Sequence, residues 1–286
     1  MQNHFVCNHI PLLLIGAVIM SVDARASTET NWPEIMLDPH VHLPVNSSLS
    51  QIPCVAEEWE VQRRVIHERW ANQLGMSAAP APAPLNPRIL SKDIVDGTVR
   101  HLEVVYGSEG SDTIRAFLMM PVDIAPGQKL PAVLVFHQTT NETINEPAGI
   151  GWRGHAFALD LAKRGFVTLS PESYIMKEGA ANISSQMEKL HREHPQWTGM
   201  GKMVFDIRRS LDFLETWPEV DPDRIAAMGF SLGAKQVLYG MAFDNRIRAG
   251  VFAEGGVGLP MSNWSNLHYL GSTAGLPEGS DHHEVI

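Results

Sequence analysis

Cysteine is almost absent from this chain, with only Cys7 and Cys54 among 286 residues. So few thiols cannot build a disulfide scaffold, so the domain must be held by burial of its core. Cations are also in deficit, 22 Lys and Arg against 32 Asp and Glu, for a formal net charge of −10. That balance argues against nucleic acid or an anionic membrane surface as partner, because both require a basic face. The N-terminal apolar run, Ile10 to Val22, is 13 residues long and too short to span a bilayer comfortably. It fits the core of an export signal, and Ala24-Arg25-Ala26 supplies the small-x-small pattern of a cleavage site. The expectation is a signal peptide over 1–26, a secreted or periplasmic mature chain starting at Ser27, and no membrane association after cleavage. Cleavage would remove Cys7 and leave Cys54 as a bystander thiol.

What is present is an ordinary globular composition, 44% hydrophobic and 19% charged. Residues 27–87 read as a Pro- and Ser-rich leader, a helix over Ala56 to Leu74, and an Ala-Pro strap over Ala78 to Pro87. From residue 88 onward strands alternate with helices. Val99 to Tyr106 and Thr113 to Met120 form a predicted hairpin. The runs at Ala132 to Phe136, Phe166 to Leu169, Arg224 to Met228 and Ile247 to Ala253 read as buried strands. Helical patterns fall over Trp152 to Arg164, Lys202 to Trp217 and Leu232 to Phe243. The fold class is therefore α/β, a mostly parallel sheet with helices on both faces, occupying 88–286.

Gly229-Phe230-Ser231-Leu232-Gly233 has the G-x-S-x-G pattern, directly after one of those strands and directly before an apolar helix. Such a strand-to-helix turn is sharp and lifts a serine hydroxyl above the sheet, and the glycines at 229 and 233 leave room for the tight backbone path. Ser231 is the candidate nucleophile. The N–H of Leu232, at the helix start, is the first candidate oxyanion donor. The second is the N–H of Gln138 or Thr139, in the loop after Ala132 to Phe136. His137 precedes the nucleophile and is read as an organiser of that loop.

With these motifs in view, the stretch from Val99 onward resembles the α/β-hydrolase superfamily. The similarity lies with acetyl xylan esterases, dienelactone hydrolase-like proteins and glucuronoyl esterases. It is carried by HQTT, EPAG and GWRGHAFALDLAKRGFVTLSP around residues 137–171, GFSLGAKQVLYGMAF at 229–243 and SNW at 262–264. The resemblance implies a serine ester hydrolase without cofactor or metal, acting on acylated or uronate-linked carbohydrates or other small esters. It also makes Glu254, one strand after the nucleophile, a candidate carboxylate to orient a histidine; a structural role in its Gly-rich loop is the alternative. Only His268, His282 and His283 follow Ser231, and no apolar β-run follows Gly255. The expectation is an α/β-hydrolase fold whose last strands and catalytic base are missing. A peptidase or amidase on the same scaffold, and an inactive or carbohydrate-binding member, stay open beside the esterase. His40 with His42, and His191 with His194, are read as histidine pairs without a metal role.

Overall fold

The computed structural model describes residues 56–276 apart from Glu178, Val257, Pro260, Met261 and Gly275. The export signal, the leader, Cys54, His40, His42, His282 and His283 lie outside the described residues. Packing divides the chain into two units, 1–65 and 66–286, with the boundary inside the helix Ala56–Gln73, and the sheet and the site described below belong to the second. No helix among the described residues is long and apolar enough to cross a membrane.

Seven strands form one mixed sheet: β1 (Arg88–Val95), β2 (Val99–Gly107), β3 (Thr113–Pro121), β4 (Leu130–Phe136), β5 (Val167–Pro171), β6 (Val220–Phe230) and β7 (Ile247–Ala253). Their spatial order is β1-β2-β3-β5-β4-β6-β7. The first four in that order pair antiparallel, whereas β5-β4-β6-β7 is a parallel run of four. Five helices accompany them: α1 (Ala56–Gln73), α2 (Phe157–Lys163), α3 (Ile183–Glu193), α4 (Gly199–Glu215) and α5 (Leu232–Phe243).

Strand alternation sends side chains to two separate cores. Along β4, Ala132, Leu134 and Phe136 join Ile207, Leu211 and Leu214 of α4 and Val237 of α5. Val133 and Val135 point the other way, onto Ala158, Leu159 and Ala162 of α2. A strand buried on both faces must be apolar at every position, which is why β4 reads as an unbroken run. This is the α/β architecture expected from the sequence, with helices on both faces.

The hairpin, α5 and β7 stand where the sequence places them. The structure adds β1, which pairs with β2 along the sheet edge, and α3. It also shortens the helix expected over Trp152 to Arg164. That helix begins at Phe157, because residues 150–156 are spent in a loop closed by Ala158 N–H donating to Pro147 O at 3.0 Å.

Candidate active site

Every parallel strand here ends on the same rim of the sheet, and the loops after β4, β6 and β7 meet there. In register, Phe136 of β4 faces Gly229 of β6, and Gly229 faces Phe252 of β7. The loops beginning at 137, 231 and 254 are therefore adjacent.

Ser231 is the single residue between β6 and α5, with φ 51° and ψ −110°. A non-glycine residue rarely takes such a backbone, at a cost of roughly 1–3 kcal/mol. What enforces it is visible on both sides. A Cβ on Gly229 would run into the carbonyl of Gly233, and a Cβ on Gly233 would run into the carbonyl of Phe136. Ser231 N–H donates to Ala253 O at 2.8 Å, which ties the turn to the end of β7. Ser231 O accepts the first helical hydrogen bond of α5, from Lys235 N–H at 3.2 Å. Leu232 opens the helix, so its N–H has no partner within α5. Among the described residues no side chain forms a hydrogen bond with Ser231 Oγ.

The loop after β4 is organised by His137, which is buried. Its Nδ1 lies 2.7 Å from Gln138 O, and its Nε2 accepts from Ser173 N–H at 3.1 Å. An Nε2 that accepts requires the proton on Nδ1, so this imidazole is neutral and both nitrogens are engaged. Burial pushes its pKa below the ordinary histidine value. Gln138 Nε2 donates to Glu146 Oε1 at 2.6 Å, and His155 Nδ1 stands 3.1 Å from both. Thr139 is exposed at the rim. Of the two residues expected to offer the second oxyanion N–H, Gln138 is thus held by its side chain.

Glu254 is the first residue past β7, exposed and with φ 56°. Among the described residues no imidazole is hydrogen-bonded to its carboxylate. His268 is half-buried against Tyr269, 4.4 Å between ring centres. Burial and then the nearby charge of Lys235 push its pKa down.

Sequence reasoning missed Lys235, which lies one turn into α5 and is only 4% exposed. Its Nζ donates to Gly255 O at 2.6 Å and to Ser262 Oγ at 3.0 Å, and lies 3.8 Å from the ring centre of Trp264. No described carboxylate pairs with it, and burial lowers its pKa to about 8. A lysine inside the apolar helix LGAKQVLYGMAF was the signal available in the sequence. Tyr269 is buried beside Trp264, 6.0 Å between ring centres, and burial raises the pKa of its hydroxyl.

The model of the dienelactone hydrolase family matches residues 114–269, more than half of the chain. The chain belongs to the dienelactone hydrolase family. Solved structures agree on the fold. One is a protein of Bacteroides fragilis NCTC 9343 provisionally named an acetyl xylan esterase. It superposes with a TM-score of 0.54 at 17% identity, over 68% of this chain and 52% of that one. Another is a glucuronoyl esterase from Solibacter usitatus, with a TM-score of 0.55 at 17% identity over 71% and 62%. Of curated proteins, the provisionally named hydrolase YtaP of Bacillus subtilis (strain 168) is 26% identical over 95 residues, which is 32% of this chain and 31% of YtaP. The chain therefore spans between about a third and less than two thirds of these relatives' own lengths. Besides the G-x-S-x-G turn, an acidic cluster is the other grouping that could hold chemistry.

One such cluster does exist. Glu109, Asp112 and Asp206 bring carboxylate oxygens close enough for a metal ion. The ammonium of Lys202 fills the position, 2.9, 2.9 and 2.6 Å from the three. Of the histidine pair at 191 and 194, His191 Nε2 lies 3.1 Å from Trp197 O and the His194 ring stacks on Trp197.

Proposed function

We propose that this member of the dienelactone hydrolase family is a serine carboxylic-ester hydrolase in which Ser231 Oγ attacks the ester carbonyl. The observation that carries the reading is the Ser231 backbone, φ 51° and ψ −110°, at a strand-to-helix turn that its two glycines alone permit. Attack forms a bond from Oγ to the carbonyl carbon and moves charge onto the carbonyl oxygen. The N–H of Leu232 and that of Gln138 or Thr139 receive that charge, and expulsion of the alcohol leaves an acyl-Ser231 that water then hydrolyses. Glu254 is the proposed orienting carboxylate for a histidine base that would take the Ser231 proton and return it to the leaving alcohol; among the described residues no imidazole is hydrogen-bonded to Glu254 or to Ser231 Oγ, and the base is not assigned to a residue. The substrates we assign are acylated or uronate-linked carbohydrates. The site of action we assign is outside the cytoplasm, on the strength of the apolar run and cleavage pattern at residues 10–26.

p-Nitrophenyl acetate hydrolysis tests the reading. The expected result is turnover that falls by at least about 10³-fold in Ser231→Ala, with no cleavage of the matching anilide. Equal rates for wild type and Ser231→Ala would overturn it. Cleavage of the anilide would make the chain an amidase on the same scaffold. No turnover of either compound would favour a silent, binding member of the family.

A further inference from the structure

The loop between β4 and α2 carries an arrangement that ester cleavage itself does not use. Trp152 is one of the most exposed large apolar side chains described, at 57%, with Ile150 at 42% beside it. An indole in solvent is ordinarily mobile, but this one is positioned. Its ring lies over Gly154, where any Cβ would collide with Cζ2 and Cε2. It also meets His155 edge-on, 4.7 Å between centres at 75°. His155 is fixed in turn, by Glu146 and Gln138 at its Nδ1, and it packs against Phe230 at 4.8 Å. Phe230 immediately precedes Ser231. The loop is pinned from outside by Arg153, whose Nη1 lies 3.1 Å from Asp96 Oδ2.

The result is an aromatic ledge that runs from the reactive serine outward in two ring contacts and ends in a held, solvent-facing indole. The chemistry of that surface is selective. An aromatic face is electron-rich, so it attracts a flat, weakly positive partner. The C–H-bearing face of a pyranose is such a partner, and its ring hydroxyls project sideways toward polar neighbours. Gln138 and His155, both half-buried, stand along the inner edge of the ledge with Glu146 buried behind them, and a purely apolar acyl chain would leave these polar groups unused.

We propose that the face of Trp152, continued by His155 and Phe230, seats a sugar ring of a carbohydrate ester whose carbonyl lies over Ser231. The inference rests on the esterase reading for the placement of the carbonyl, and on the ledge alone for the sugar.

The two parts separate by experiment. Binding of an acetylated xylo-oligosaccharide is measured by calorimetry in the Ser231→Ala background, with and without Trp152→Ala, Trp152→Phe and Gly154→Ala. The expected result is roughly tenfold weaker binding for Trp152→Ala, equal to about 1.4 kcal/mol. Gly154→Ala, which retains the indole but displaces its ring, should give a similar loss, and Trp152→Phe should restore most of the affinity. In the Ser231 enzyme, kcat/KM for the oligosaccharide should fall about tenfold relative to that for p-nitrophenyl acetate. Affinity unchanged in both Trp152→Ala and Gly154→Ala would overturn the proposal. So would a change in oligomeric state with no change in sugar affinity, which would make the ledge a contact between copies. Trp152-dependent binding without hydrolysis of any ester would keep the ledge and reject the esterase reading.

Discussion

Two buried lysines lie on the same face of this sheet and are treated in opposite ways. Lys202 of α4 is fully enclosed and surrounded by Glu109, Asp112 and Asp206, with Ser108 Oγ accepting a further hydrogen bond at 2.9 Å. Burial alone would lower its pKa, but the three carboxylates outweigh that and hold the ammonium charged well above the ordinary lysine value. Lys235 of α5 is nearly as buried but has only a carbonyl, a hydroxyl and an aromatic face, and its pKa falls to about 8. The first lysine closes a network between the β2–β3 turn and the first turn of α4, and Glu109 and Asp206 would be stranded without it. The second leaves uncompensated charge beside a strained serine. Such an imbalance beside Ser231 supports the proposed role of this turn, whereas the Lys202 cluster is balanced.

The comparison breaks most visibly at Lys202. Lys202→Met leaves Glu109 and Asp206 buried without their cation, while Asp112 keeps Lys177 at 2.6 Å, and urea unfolding should show a loss of about 3–5 kcal/mol. A loss below about 1 kcal/mol would mean that the cluster is not the structural staple described here.

Lys235 gives the next largest effect and a pH signature. Its folded pKa, about 8, lies below the ordinary 10.5. The unfolded chain therefore binds more protons between these values, and stability rises with pH across that window. Measured as wild type minus Lys235→Met, the rise should reach up to about 3 kcal/mol from pH 8 to 10.5, with a flat difference below pH 7. A difference that falls over the same interval would place an undetected carboxylate beside Lys235.

The smallest effect concerns strain. Ser231→Gly should relieve the φ 51° backbone and gain about 1 kcal/mol in thermal or chemical unfolding while losing ester turnover. A loss of stability would show that Ser231 Oγ contributes more to the fold than to the reaction.

How much of this the sequence discloses depends on the range of the interaction. α5 and β7 were legible to the residue, because each is a short apolar run bounded by glycine or by Asp244-Asn245. β1 was not, because its side chains are almost all exposed, with Arg88, Lys92 and Asp93 among them, so no alternation marks it. α3 was missed for a related reason: only Gln186, Met187 and Leu190 are buried along it. Ser231 was legible because its signal is five consecutive residues. The pairing of Gln138 with Glu146 and His155, and the reach of Lys235 to Gly255 and Ser262, join loops distant in sequence. Such contacts become visible only when the strands bring their ends together.

The most direct measurement is covalent. A fluorophosphonate probe, followed by peptide mapping, reports which hydroxyl is nucleophilic. The account expects one adduct, on Ser231, absent from Ser231→Ala and retained in Trp152→Ala. An adduct on another serine, or none on Ser231 in the folded protein, would contradict it.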